Sequence, residues 1–140
     1  MNKCCFKFQG QLFNFNSGDV VPIPIEIQLS ASDLTTALTT GTGKAYCRVP
    51  TAFTLTGVRA SLATAQASGS IFTVDINMDG TSIISTKLTI DNTEKTSVTA
   101  TTPAVISTSA ITDDAEITID IDQVGNGTAK GLIITLIGTR

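Results

Sequence analysis

From residue 72 the chain alternates: Phe72, Val74, Ile76 and Met78 are apolar, and Thr73, Asp75 and Asn77 between them are polar. A period of two puts each set on its own face of an extended strand, so the segment predicts a strand with one buried side. Glu116 to Asp122 repeats the pattern, with Ile117, Ile119 and Ile121 inward and Glu116, Thr118, Asp120 and Asp122 outward. Less regular runs predict strands at 23–29, 45–49, 52–62, 82–90, 96–100, 104–107 and 131–137. Two weaker ones fall at 5–8 and 12–15.

Turn chemistry separates these runs. Asp79-Gly80 stands between two alternating segments, the strongest short hairpin signal, because both central residues of a type I′ turn need positive φ. Gly125-Asn126-Gly127 does the same before the last strand, and 40–43 and 67–70 read as loops. Only Ser30 to Leu38 looks helical, with Ser30 as N-cap and Asp33 three residues on; its threonines limit it to a turn or two.

Eight to ten short strands predict an all-β chain: a β-sandwich of jelly-roll or immunoglobulin-like topology, jelly-roll-like being preferred because the missing Trp and the cysteine spacing weigh against a true immunoglobulin domain, with an N-terminal extended arm. The arm spans 1–25 and holds four of the six Phe, namely Phe6, Phe8, Phe13 and Phe15, with Cys4, Cys5 and Pro22-Ile23-Pro24. The sandwich domain spans 26–140. The chain's 24 threonines suit its strands, since a β-branched carbon favours extended backbone while the hydroxyl keeps the outward face wet without charge.

Composition then narrows the chemistry. At 140 residues the chain has the size of one domain. It contains no His, which removes imidazole acid–base catalysis and His–Cys zinc sites. No nucleophile stands beside a base in a known pattern, and the reading is non-enzymatic and free of cofactors. Nine basic residues against 12 acidic ones, scattered, argue against nucleic acid as a partner. The longest apolar run is far too short to span a membrane, and the polar residues Lys7, Gln9 and Gln11 leave no signal-peptide core. Cys4, Cys5 and Cys47 form no disulfide framework and read as free thiols of a reducing cytosol.

Several motifs invite sharper readings. Asp75-Ile76-Asn77-Met78-Asp79-Gly80 fits the first half of a calcium-binding loop, yet the closing position is Thr86 where Glu is required, and the alternation demands a strand. Asp120 and Asp122 share a strand face roughly 7 Å apart and are the candidates for a weak cation site; solvated carboxylates are the plainer reading. Gly41-Thr42-Gly43-Lys44 lacks the first Gly and the terminal Ser or Thr of a phosphate loop. Asn126-Gly127-Thr128 is a glycosylation sequon only in an exported protein. Arg48 and Arg59 are expected to pair with outward carboxylates on neighbouring strands.

The segments Gly43-Lys44-Ala45-Tyr46-Cys47-Arg48-Val49-Pro50, Ala52-Phe53-Thr54-Leu55-Thr56-Gly57-Val58-Arg59 and Asp113-Asp114-Ala115-Glu116-Ile117-Thr118-Ile119-Asp120 resemble a module recurrent in tailed-bacteriophage virion proteins. The resemblance covers roughly residues 28–140. Cys47 departs from an aromatic, and Met78-Asp79-Gly80 from a Glu-Gly-Gly type of turn. It implies a β-sandwich behind a variable N-terminal segment, as a structural part of a head or tail appendage. The implied roles are capsid decoration or a short fibre, as a homotrimer contacting the major capsid or another virion protein, assembled in the host cytoplasm. The alternative expectation is a receptor- or carbohydrate-binding module at a fibre tip, meeting a host-surface glycan through loops 39–43, 64–70 and 123–130.

Overall fold

The computed structural model describes residues 4–8, 11–15 and 21–140. Two strands, β1 (Cys4–Phe8) and β2 (Gln11–Phe15), pair antiparallel with Phe6 opposite Phe13 and form a sheet of their own. The two weaker strand candidates of the N-terminal arm, 5–8 and 12–15, are thus both strands, and they pair as a hairpin. The body follows as β3 (Pro24–Ser30), β4 (Gly41–Arg48), β5 (Phe53–Thr64), β6 (Phe72–Met78), β7 (Thr81–Ser82), β8 (Ile84–Thr86) and β9 (Leu88–Ile90). After a short 3-10 turn at Ser97–Thr99 come β10 (Val105–Ile106), β11 (Ala110–Ile111), β12 (Glu116–Gln123) and β13 (Lys130–Thr139). Backbone pairing of the body begins at Ile23, whose N–H and C=O both bond to Arg140.

The fold is all-β and sandwich-like. One sheet runs in the order β11-β5-β13-β3 and the other β4-β12-β6-β7, with β9 also on β6; every pairing is antiparallel. Ile117, Ile119 and Ile121 from β12 and Phe72, Val74 and Ile76 from β6 belong to one buried cluster with Leu132, Ile134 and Leu136 of β13. Each of these nine is at most 1% exposed. The alternation along β5 changes phase, with Phe53 and Leu55 buried and then Ala60 and Leu62. A register shift opposite Ile137 and Gly138 supplies the extra residue that resets it.

Local expectations meet four corrections. Gly125-Asn126-Gly127 closes no hairpin, because β12 and β13 belong to different sheets and the turn crosses between them. Ser30 to Leu38 forms no helix: the Asp33 carboxylate accepts the N–H groups of Thr35 and Thr36 at 2.9 and 2.6 Å, while Leu38 is drawn into the core and its N–H bonds to Ala129 O. Those N–H groups, Thr36 first, hold the Asp33 carboxyl down to about 2. The run 82–90 is split into β7, β8 and β9, because Ile83 N–H bonds back to Ile76 O and Ser82 Oγ to Asp75. The segment 96–100 holds the 3-10 turn, capped by the Thr96 hydroxyl accepting Val98 N–H. Asp79 and Gly80 have φ of 49° and 81°, the positive pair that the hairpin requires.

The strand ends sort into two poles. At one lie Val21 to Pro24, Arg140, the β4–β5 connection and the start of β12, joined by the Ile23–Arg140 and Val49–Ala115 backbone bonds. At the other lie the loops after β3, β5, β9 and β12. There Asn126 N–H donates to Ser68 O, Thr93 N–H to Gln66 O, and Leu38 N–H to Ala129 O.

Candidate functional site

The polar residues brought together most closely lie on the outer side of the β12 sheet. Asp120 stands directly opposite Asp75, and Thr118 opposite Asn77, so the outward positions of β12 and β6 share one face. Asp75 is nonetheless only 7% exposed, because the β7–β8 segment folds over it. Its Oδ1 accepts Ser82 Oγ at 2.7 Å and Ile76 N–H at 2.8 Å, and its Oδ2 lies 3.2 Å from Lys87 Nζ. The same ammonium reaches Asp122 Oδ2 at 2.5 Å. One lysine thus joins two carboxylates that approach from two strands.

Asp120 is saturated differently. Its Oδ1 accepts Gly43 N–H at 2.7 Å and its Oδ2 the Asn77 amide at 2.9 Å. Asp120 and Asp122, the pair that strand alternation offers to a cation, are therefore turned to separate partners, and among the described residues no three or more His, Cys, Asp or Glu side chains converge. The chemistry of this face is charge pairing and hydrogen bonding within the fold. Arg48 does pair outward as expected, with Asp114 at 3.8 Å and Glu116 at 3.5 Å.

Lys87 was invisible as a partner in the sequence, where it is one lysine in an apparently continuous strand. Its role depends on the break at Ile83 and on the register of β6 against β12. The hydrogen bond to Asp122, followed by the interaction with Asp75, raises the Lys87 pKa above the ordinary lysine value. A raised folded-state pKa means that the stabilisation is complete below about 10.5 and is lost as pH climbs through the folded value. Lys87→Met is expected to cost about 1–2 kcal/mol at pH 7, discounted for a side chain that is 45% exposed. The cost should shrink only as the pH climbs through the raised folded-state value and the wild-type ammonium deprotonates. Urea unfolding of both proteins at a series of pH values from 7 upward past the ordinary lysine value checks this, and a cost that persists after the wild-type ammonium has titrated would contradict the ion-pair account.

The loops singled out as a binding surface do gather at one pole. Gln66, fully buried, donates its amide to Ser70 O and to Asn92 Oδ1, and Thr128 Oγ1 accepts Ala67 N–H. These bonds tie 64–70, 91–93 and 123–130 into one unit. The aromatic residues of the body lie elsewhere: Tyr46 is 72% exposed on β4, and Phe53 and Phe72 are buried in the core. Apolar groups also line a depression of about 430 Å³ at the opposite pole, formed by Ala52, Phe53, Ala110, Ile111 and the chain around Thr139.

The arm residues Phe6, Phe8, Phe13 and Phe15 are placed by backbone pairing alone. Phe6 faces Phe13 across the hairpin, and Phe15 faces Cys4. Directly opposed residues share a face and alternation carries it along each strand, so all four positions fall on one side of the hairpin. Comparison of the chain with protein-family models, curated proteins and solved structures returns no match.

Proposed function

We propose that this chain is a non-enzymatic structural protein of a phage virion, which decorates or stabilises the capsid or forms a short head or tail fibre. It attaches through its N-terminal arm and assembles with further copies of itself, as a homotrimer, on the major capsid or another virion protein. The observation that carries the reading is the polarity of the sandwich. The arm joins the body at the Ile23–Arg140 pole, while the tied loops occupy the far pole. A part with its connector at one end and a hydrogen-bonded loop surface at the other suits a body that stands off a support.

The hairpin adds to this support, because its backbone register sets four Phe positions on one side. Burying each ring on a partner contributes about 1.5–3 kcal/mol. Removing residues 1–20 is expected to leave the body folded, with its melting temperature within a few degrees of the full chain, and to abolish incorporation into particles. Quantitative mass spectrometry of purified particles reads this, and truncated protein at full occupancy would refute the arm's role.

The gathering of the loops at the pole away from the arm favours one second reading, a glycan- or receptor-binding tip. Binding on a glycan array, lost on substitution in 64–70 or 123–130, would establish it in place of a purely structural role.

A further inference from the structure

The edges of the two sheets differ in what they offer a partner. β7 and β11 are two residues each, too short to template a strand. On β3, Ile23 exchanges both backbone bonds with Arg140, at 2.7 and 3.0 Å. Alternation therefore turns Ile25, Ile27 and Leu29 toward β13, and the backbone groups of Pro22, Pro24, Glu26, Gln28 and Ser30 toward the outside. Two of those five have no N–H and a third carries a charge, which guards the first half of this edge against pairing.

β4 is not guarded in this way. Val49 N–H donates to Ala115 O at 3.0 Å in the register that sets Arg48 opposite Glu116. Ala45 and Cys47 thus face β12, while Lys44, Tyr46 and Arg48 turn their backbone N–H and C=O groups outward. None of the three is proline, and Tyr46 between the charged pair is 72% exposed. Lys44 Nζ donates to the Thr39 hydroxyl at 2.9 Å and Arg48 pairs with Asp114 and Glu116, so the edge is positively charged and selects an uncharged or acidic strand. Among the described residues the chain also carries a two-stranded hairpin that pairs with no strand of the body. Such a hairpin is marginal in water until a third strand or a packing surface completes it.

We propose that β2 of a neighbouring copy adds to the open edge of β4 and extends the β12 sheet by main-chain hydrogen bonds. This rests on the reading of the arm as the attachment element and names its seat. The five residues of β2 match the span 44–48. Gln11-Leu12-Phe13-Asn14-Phe15 carries no charge, whereas β1 would bring Lys7 against Lys44 or Arg48, and like charges in facing strands oppose pairing. A neighbour is the donor because the hairpin and the β4 edge of one chain remain unpaired with each other.

The test uses the full chain, Tyr46→Pro, and a chain lacking residues 1–20, each followed by sedimentation and by amide hydrogen exchange. The Tyr46 N–H faces away from β12, so proline there removes an edge donor without breaking a ladder bond of the body. The full chain is expected to self-associate, with the amides of Lys44, Tyr46 and Arg48 exchanging at least roughly tenfold more slowly than in the truncated chain. Tyr46→Pro and the truncated chain should both be monomeric and melt with the body intact. A monomeric full chain with these amides exposed overturns the proposal, and protection of the same amides in a monomer overturns the neighbour as donor. Should Tyr46→Pro fail to fold, the truncated chain alone decides by its mass and its exchange at the three amides. Full chain that self-associates through this edge but is absent from particles would sink the virion reading and leave the strand addition standing.

Discussion

Truncating Phe72 to alanine is expected to lower the unfolding free energy by about 3–5 kcal/mol. Phe72 opens β6, has no exposed surface and belongs to the cluster that both sheets share. Its partner across the sheet is Ile90 of β9, so the cavity would open where the β6–β9 pairing holds the 3-10 turn region against the core. Strands on either side are fixed by their ladders and cannot close over the void, which places the cost in the upper part of the range for buried phenylalanine. Native domains have roughly 5–15 kcal/mol in hand, so this one substitution removes about a fifth or more. Urea unfolding should show the midpoint shifted with an unchanged slope; a cost below 1 kcal/mol would mean that the two sheets are not packed through this side chain.

Gly125→Ala is expected to be the most damaging substitution among the loops, at about 2–4 kcal/mol. Gly125 has φ of +54°, where a Cβ adds roughly 1–2 kcal/mol of strain. That Cβ would also stand 2.0 Å from Gln66 Nε2 and 2.6 Å from Ser70 O. The buried amide must then move, giving up its bonds to Ser70 O within its own loop and to Asn92 Oδ1 in the loop after β9, which adds about 1–3 kcal/mol. Gly127 provides the control, since its φ is +73° but nothing lies within 4 Å of its Cβ position. Gly127→Ala should carry only the backbone strain. Equal losses at the two sites, read from thermal unfolding, would show that Gln66 does not hold the pole together.

How far these features could be read from the chain depends on the range of the interaction that makes them. The strand at 72–78 and its Asp79-Gly80 turn are written locally, by alternation and by two residues that tolerate positive φ, and the structure has them where the pattern put them. The Ile117-Ile119-Ile121 face is legible for the same reason. Ser30 to Leu38 misled because its capping signal is real but serves another end: the Asp33 carboxylate does gather N–H groups, in a bend that lets Leu38 reach the core. Nothing local distinguishes the two outcomes. The run 82–90 is apolar enough for one strand, and only Asp75, seven residues upstream of Ser82 and on another strand, explains why it folds over the sheet. Lys87 belongs to that second class, since its carboxylates come from positions 75 and 122 and meet only after three strands are in register.

Pro22 and Pro24, at the entry to β3, have a consequence for how copies of this molecule can be joined. A sheet with open strands on both flanks can recruit a neighbour on each side and grow without limit, which is the route to fibrils. Here one flank of each sheet ends in a two-residue strand, and Pro22, Pro24 and Glu26 blunt the long edge of the other sheet. β4 is left as the long edge without a proline, so body edge does not meet body edge on both flanks. Under the proposed addition each copy donates one hairpin strand and accepts one, and such a head-to-tail contact is finite only when it closes into a ring.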